Sequence, residues 1–431
     1  MPLTQSPTAA VPRRRWRIAL LLGFGVVVNY LDRINVSVSR DALHDAFGIS
    51  LIGFGYLSSA YNWTYAAMQV PSGMLLDHFG LKRVGRVSTF LWSVASFASA
   101  AATGLGSFLA ARFLLGVGES PAFPGNAKAL GYWFPESERS FPIAITDAAA
   151  KLSAGVGVPL LGVLLLRFGW RWSFASTGFI SLFYFLLFYW VYRNPSEDRQ
   201  LTEAERQFIL QGGVQQEGRI AGRSRTSVGY LLRQKKVWGL ALGWGGYNYT
   251  FFLVLTWLPS YLSISLHMDL LSSVLYTSIP WLVATLTDLA IGGWLVDTLL
   301  KRGWNPHRVR QTVLLCGTAL GLGIIGAATA KTPASALFWI SLSTGGLSAA
   351  SPVAWTVPSL IAPRESVATI AGITNFSAQI SALSAPIITG YLVTATHTFA
   401  SAFVTAGLAI LVGIAGYVFL LGRMEAIPEP E

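Results

Sequence analysis

The chain has 431 residues, 53% of them hydrophobic and only 12% charged, about half the charged share of an ordinary soluble domain, which points to a protein embedded in lipid. A formal net charge of +11 could mark a nucleic-acid binder, but the charge is scattered in short clusters between apolar stretches and so reads as membrane topology. The single cysteine, Cys316, excludes an internal disulfide, and the five histidines lack metal-ligand spacing, so no cofactor or metal is expected.

A bilayer core about 30 Å thick needs roughly 20 apolar residues per helix. Twelve stretches qualify, at about 17–39, 54–76, 84–102, 106–130, 140–166, 172–192, 238–262, 272–298, 310–330, 335–359, 366–394 and 399–422. The first follows Arg13, Arg14, Arg15 and Arg17 as a secretory signal would, but it carries Asp32 and Arg33 and lacks a small-residue cleavage site, so it is expected to be a retained helix. Basic residues outside the spans crowd into the termini and the even-numbered loops, and only Arg40, Arg167, Arg171 and Lys331 fall in the others. Both termini are therefore expected in the cytoplasm.

The longest polar stretch, about 193–236, divides the spans into two sets of six. A pseudo-repeat supports the division: Gly73-Met-Leu-Leu-Asp77 precedes Lys82 and Arg83 after span 2, and Gly293-Trp-Leu-Val-Asp297 precedes Lys301 and Arg302 after span 8. The expected layout is a tail (1–16), a six-helix bundle (17–192), a cytoplasmic connector (193–237), a second six-helix bundle (238–422) and a tail (423–431). Gly155, Gly157 and Gly162 in span 5, and Gly317-x-x-x-Gly321 in span 9, predict close helix packing. Gly321, Gly323 and Gly326 spell a nucleotide motif, but no strand precedes them and they carry no function.

A charge at the centre of a membrane helix costs roughly 2.5–3.5 kcal/mol even on insertion scales, so each one must be paired or functional. Span 1 holds Asp32 and Arg33 at adjacent positions, about 100° apart on the helix. Arg33 stays ionised, and its planar fork suits a carboxylate; it either recognises an anionic substrate or is neutralised by a protein acid. Arg112 and Glu119 in span 4 stand seven residues apart, on nearly one face, and are expected to look into one cavity. Glu119 is either a proton-coupling site or half of a structural pair with Arg112 or Arg33, and Asp32 either a second proton site or the anchor of Arg112. Asp147 and Lys151 stand at i and i+4, where an internal ion pair is expected unless Lys151 is free to meet substrate. Asp288 either neutralises Lys151 from the other half or binds a proton of its own. Lys128 can snorkel to the interface.

Two six-helix halves, each ending its second helix in Gly-x-x-x-Asp and a basic loop, resemble the major facilitator superfamily. Within it, Tyr30-Leu-Asp32-Arg33-Ile-Asn35, the run from Gly116 through Glu119 to Pro124, and Tyr132-Trp133-Phe134-Pro135 with Glu138 and Arg139 resemble the anion:cation symporter family, and galactonate-, glucarate- and hexuronate-type proton symporters in particular. The resemblance implies an all-α membrane protein of twelve transmembrane helices, multi-pass in a bacterial inner membrane, working by alternating access with the site near the midplane. It implies proton-coupling roles for Asp32 and Glu119, substrate or coupling roles for Arg33 and Arg112, and further substrate contacts at Tyr65, Trp355 and Asn375, whose hydroxyl, indole and amide groups suit a polyol. Ala150 and Pro352 depart from the galactonate-type pattern, which has glutamine and serine there. Lys151 and Asp288 have no recognised counterpart.

The expected function is import of a small organic anion, a sugar acid, by proton symport, with protons and the bilayer as the other partners, no nucleic acid, and a monomer as the working unit. A facilitator or exchanger for an aromatic acid or dicarboxylate is the alternative. No catalytic constellation is present, so the chain is not expected to be an enzyme. Asp77, Lys82, Arg83 and Asp297 are expected to latch the cytoplasmic ends of the halves.

Overall fold

The computed structural model describes residues 13–135, 138, 140–214, 228–363 and 366–429, and all regular structure among them is helical. Span 1 is α1 (Arg14–Val38), followed by the short α2 (Arg40–Phe47). Span 2 is broken into α3 (Leu51–Ala67) and α4 (Gln69–Phe79) just ahead of Pro71, which has no N–H to offer the preceding turn. Span 3 is α5 (Leu81–Ala100). Span 4 repeats the break, α6 (Leu105–Glu119) ending before Pro121 and α7 (Ala122–Trp133) resuming after it. Spans 5 and 6 run together as α8 (Ser140–Val191), with the reversal at Gly169, whose φ of 78° is open to glycine at no steric cost. The connector contributes α9 (Glu203–Gln211) and α10 (Val228–Leu232).

In the second half, span 7 is α11 (Lys235–Ile264), and span 8 runs through α12 (Leu270–Thr287), a π-helical segment (Asp288–Leu295) and α13 (Val296–Lys301). Span 9 is α14 (Pro306–Leu320), a 3-10 turn and α15 (Ile324–Ala327), and spans 10, 11 and 12 are α16 (Pro333–Ile361), α17 (Val367–Thr396) and α18 (Ala400–Ala415) with a π-helical end. Side chains of Ser50, Thr202, Asp269, Asn305 and Thr332 accept N–H bonds at the helix starts they precede. Among the described residues, six helical runs are by themselves long and apolar enough to cross a membrane, one of them, Phe141–Val191, containing spans 5 and 6. The other spans are broken near a proline or diluted by small, polar and aromatic residues that face neighbouring helices. Large apolar side chains stand on the outer surface, Phe419 with 81% of its area bare, as a lipid-facing wall requires.

Among the described residues the halves meet chiefly at three helix pairs: α3 with α17, α8 with α12, and α1 with α11. The first two are the same pairing, second helix against fifth, with the halves exchanged, which is what a pseudo-two-fold repeat produces. Glycine makes these contacts possible. A β-carbon on Gly55 would stand 2.7 Å from the Pro386 carbonyl oxygen, and one on Gly390 would stand 2.8 Å from that of Leu51. Gly162 likewise admits Val274, and Gly155 admits Leu282. The expected small-residue packing of span 5 is therefore found, partly at the junction of the halves.

The junction is asymmetric along its length. On the face away from the chain ends, Ser37 Oγ donates to the Thr256 carbonyl (2.6 Å), Ser59 Oγ to that of Leu383 (2.9 Å) and Asn62 Nδ2 to that of Ala382 (3.3 Å). Phe54 and Trp257 close edge to face between halves at 5.1 Å, both buried. On the face that carries Arg14 and the connector, Pro71, Met74, Leu75, His78 and Phe79 of α4 are exposed, and a β-carbon on Gly73 or on Gly372 of α17 would meet nothing within 4 Å. There each terminal segment is tied to its own half. Arg14 and Arg15 pair with Asp198 and Glu205 at 2.9 Å each, and Ile427 N donates to the Ile361 carbonyl at 2.9 Å. The molecule is thus shut on one face and open on the other.

Candidate functional site

Between the halves lies a cleft of about 730 Å³, part of it open to solvent. The first half supplies its charges, with Tyr30 and Arg33 from α1, Tyr65 from α3, and Asp147 and Lys151 from α8. The second half supplies aromatic and amide groups: Trp244, Tyr247 and Asn248 from α11, Trp355 from α16, and Asn375 and Gln379 from α17. Trp244 and Tyr247 stack at 4.8 Å, and Trp355 meets Trp244 edge-on at 5.1 Å while keeping 43% of its surface open. A smaller cleft toward the closed face is lined by Arg33 and Arg112 with Ser37, Tyr61, Asn62 and Thr256. Arg33 therefore stands at the boundary of the two.

Arg33 is held by three tyrosine rings, with its guanidinium carbon 4.8, 4.6 and 5.1 Å from the centroids of Tyr30, Tyr61 and Tyr65. The ring faces hold the cation without neutralising it. Its Nη2 donates to the Tyr61 hydroxyl at 2.6 Å, its Nε lies 3.6 Å from Glu119 Oε2, and that Nε makes no hydrogen bond. Glu119 is wholly buried, and neither carboxylate oxygen accepts a hydrogen bond. The pair is thus a loose electrostatic contact, with donor capacity left on the arginine and acceptor capacity left on the acid.

The expectation that Arg112 and Glu119 look into one cavity is corrected by this arrangement. Arg112 lines the smaller cleft, whereas Glu119, the last residue of α6 before the break at Pro121, lines neither cleft and stands behind Arg33. Arg112 is not anchored by a hydrogen bond to the Asp32 carboxylate either. Its Nη1 donates to the Asp32 main-chain carbonyl at 3.1 Å, while the carboxylate accepts Ser96 Oγ at 2.8 Å and Ser181 Oγ at 3.1 Å. Asp32 is 1% exposed and lines neither cleft.

Tyr65, Trp355 and Asn375 all line the main cleft, as does Ala150, where galactonate-type carriers have glutamine. Pro352 packs on Gly292 instead. Lys151 lines the cleft but is only 1% exposed, and its ammonium is engaged by Asp147 at 2.7 Å and by Asp288 across the junction. Both pairings weighed for it from the sequence are present at once. Of the latch residues, Lys82 pairs with Glu197 of the connector, while Arg83 and Asp297 are exposed. The side chain of Asp77 lies outside the described residues, as does Arg139 of the sequence motif. Lys128 donates to the Leu76 carbonyl at 3.2 Å.

Sequence reasoning missed Tyr30, Tyr61, Tyr247, Asn248 and Gln379. Gln379 follows Asn375 by one helical turn, a spacing that could have found it. Tyr61 and Tyr65 have the same spacing on α3.

Comparison with known proteins agrees with this architecture. The chain is 35% identical over 414 residues to the uncharacterized transporter YybO of Bacillus subtilis (strain 168), covering 96% of this chain and 95% of the relative. It is 30% identical over 426 residues to the D-galactonate transporter of Escherichia coli O6:H1, covering 97% and 98%. A solved bacterial homologue of the human lysosomal transporter Spinster, inward-facing and unoccupied, superposes with a TM-score of 0.75 at 15% identity over 96% of this chain and 98% of that one, which establishes the fold. Residues 22–386 match the family model described as the Major Facilitator Superfamily, and with two full-length transporter relatives at 30% identity or more, this chain belongs to that superfamily.

Proposed function

We propose that the protein imports a sugar acid, such as an aldonate, aldarate or hexuronate, by proton symport with alternating access. The observation that carries this reading is Arg33, a permanent cation caged by tyrosines at the meeting point of two clefts, with a buried acid loosely paired behind it. A substrate carboxylate arriving from the cleft competes with Glu119 for Arg33. Protonation of Glu119 weakens its hold and frees the arginine. Proton and anion thereby favour each other's binding, which is the coupling that symport needs. The hydroxyl, amide and indole groups of Tyr65, Asn375 and Trp355 along the main cleft suit the polyol chain, and the relative named as a D-galactonate transporter supports the same substrate class.

The basic termini and connector support a cytoplasmic placement in a bacterial inner membrane for the face that carries them, so the open face is the inward one. The latch residues Asp77, Lys82, Arg83 and Asp297 would then draw together when that face closes. Asp32, buried among hydroxyl donors, serves as the second proton site. An inside-negative potential opposes a monoanion by about 2.3 kcal/mol per 100 mV, so one proton only cancels the charge while two let the potential drive uptake. The aromatic wall formed by Trp244, Tyr247 and Trp355 favours an aromatic acid as the second reading.

The deciding experiment is uptake of labelled D-galactonate, D-glucarate and hexuronates into proteoliposomes under an imposed pH gradient, comparing wild type with Glu119→Gln in net uptake and in counterflow. The symport reading expects the variant to lose gradient-driven accumulation and to keep counterflow, which needs no net proton movement. Transport of aromatic acids alone, or wild-type uptake indifferent to the gradient, would overturn it.

A further inference from the structure

Lys151 is placed where one cation faces two acids. Its Nζ bonds Asp147 Oδ2 at 2.7 Å on its own helix, one turn away, and Asp288 Oδ2 on α12's continuation in the other half. Lys151 and Asp288 are each 1% exposed, and the second oxygen of Asp288 is buried without any hydrogen-bond donor. With all three groups ionised the cluster carries one uncompensated negative charge in a water-poor setting, an arrangement that burial strongly disfavours.

Among the described residues no other group beside the cluster supplies the missing positive charge. From α16, Ser351 donates to Asp147 Oδ2 at 3.3 Å, which helps that acid but carries no charge. From α11, Tyr247 faces the cluster, and from α1 come Tyr30 and Arg33 along the same cleft. Arg33 is already paired with Glu119. The fixed charges of Arg33, Arg112, Asp32 and Glu119 sum to zero, so the excess charge of the second cluster is also that of these seven groups taken together. An anion entering the cleft would meet it.

We infer that Asp147, Lys151 and Asp288 form a further proton-binding site that bridges the two halves, the two carboxyl groups sharing one proton while Lys151 stays ionised between them. The proton removes the excess charge beside the cleft, and its loss restores a repulsion that drives an anion out. Asp288 is also the first residue of the π-helical segment, a distortion frequent at functional sites, so a change at this acid falls where span 8 departs from regular helix. The link to anion binding rests on the transport reading above, whereas the proton site itself does not.

Infrared spectroscopy of the purified full-length chain in lipid nanodiscs, titrated in pH without substrate, tests the site directly through the carbonyl stretch of protonated carboxyl groups. The expected result is a titrating band that survives Glu119→Gln and Asp32→Asn and is lost in Asp288→Asn. Asp147→Asn, altering the more exposed acid, is expected to remove the same band and serves if Asp288→Asn does not fold. Adding D-galactonate in weak buffer should then draw about one proton more per bound anion in wild type than in either Asn variant. A band unchanged in both Asn variants, or none beyond those of Glu119 and Asp32, overturns the inference. Failure of D-galactonate to bind while the band is present and lost as expected counts against the transport reading and leaves the proton site standing.

Discussion

At the scale of single residues the chemistry turns on what Arg33 can do that another cation cannot. Its flat guanidinium lies against three tyrosine faces and still keeps an unbonded Nε, so it can be held and remain receptive to a carboxylate. A lysine carries the same charge on a point-like, more strongly hydrated group that loses both the stacking and the two-point contact. Losing one charge-assisted hydrogen bond costs roughly 1.5–3 kcal/mol. Arg33→Lys is therefore expected to weaken apparent substrate affinity by about ten- to a hundredfold, using 1.4 kcal/mol per tenfold, and the KM for uptake, measured beside surface expression, checks it. Trp355 makes a separate contribution from the opposite wall. Trp355→Ala should raise KM while leaving the dependence on the pH gradient intact, and a variant that lost the gradient dependence instead would show that this residue belongs to coupling.

How far these residues were legible beforehand depended on charge. Buried ionisable side chains stand out in apolar spans because each is costly, so Asp32, Arg33, Arg112, Glu119, Asp147, Lys151 and Asp288 could be singled out from the sequence. Their pairing could not be. Two i,i+4 neighbours on one helix were visible, but the cross-half contact of Lys151 with Asp288 spans 137 residues and depends on how the halves face each other. The tyrosine cage was hidden for a different reason: aromatic residues abound in this chain, and the one-turn spacing from Tyr65 is the single local mark that sets Tyr61 apart.

At the scale of elements, breaks and glycines decide what can move. Spans 2 and 4 are each interrupted just before a proline, Pro71 and Pro121, and the second break leaves Glu119 at the end of α6. Where α3 meets α17, backbone touches backbone across Gly55 and Gly390, so the closed face relies on two missing side chains. Gly390→Val would place a side chain against the Leu51 carbonyl, which cannot yield as a flexible side chain could. The expected outcome is a shift away from the conformation closed at this face. Spin labels at Asp45→Cys and Ala395→Cys, in a Cys316→Ser background, should report a longer distance in the Gly390→Val protein, and an unchanged distance with normal transport would contradict the assignment.

At the scale of the whole molecule, the proposed symport of more protons than anion charges would carry net positive charge inward, with the open face as the cytoplasmic one. Protons must then bind on the outside, so external acidification is expected to raise the rate, and an inside-negative diffusion potential imposed at equal pH should raise it further. Indifference to such a potential would mean one proton per anion charge, and inhibition fewer than one. The shared placement of the chain ends is testable by itself, since a fluorescent reporter fused after Glu431 should mature only if that end is cytoplasmic.

The sequence by itself determined the class of molecule, because a bilayer imposes one length and one hydropathy on every span; the division into halves and the orientation recorded by basic loop residues are expectations drawn from it. It also marked the buried charges, whose cost makes them conspicuous. Only the tertiary structure decided which of those charges meet, that Glu119 sits behind Arg33 rather than beside Arg112, that Lys151 binds an acid from each half, and which face is open. Each of these depends on the packing of helices distant in the chain, where contact is set by the shape of the junction rather than by any local pattern of residues.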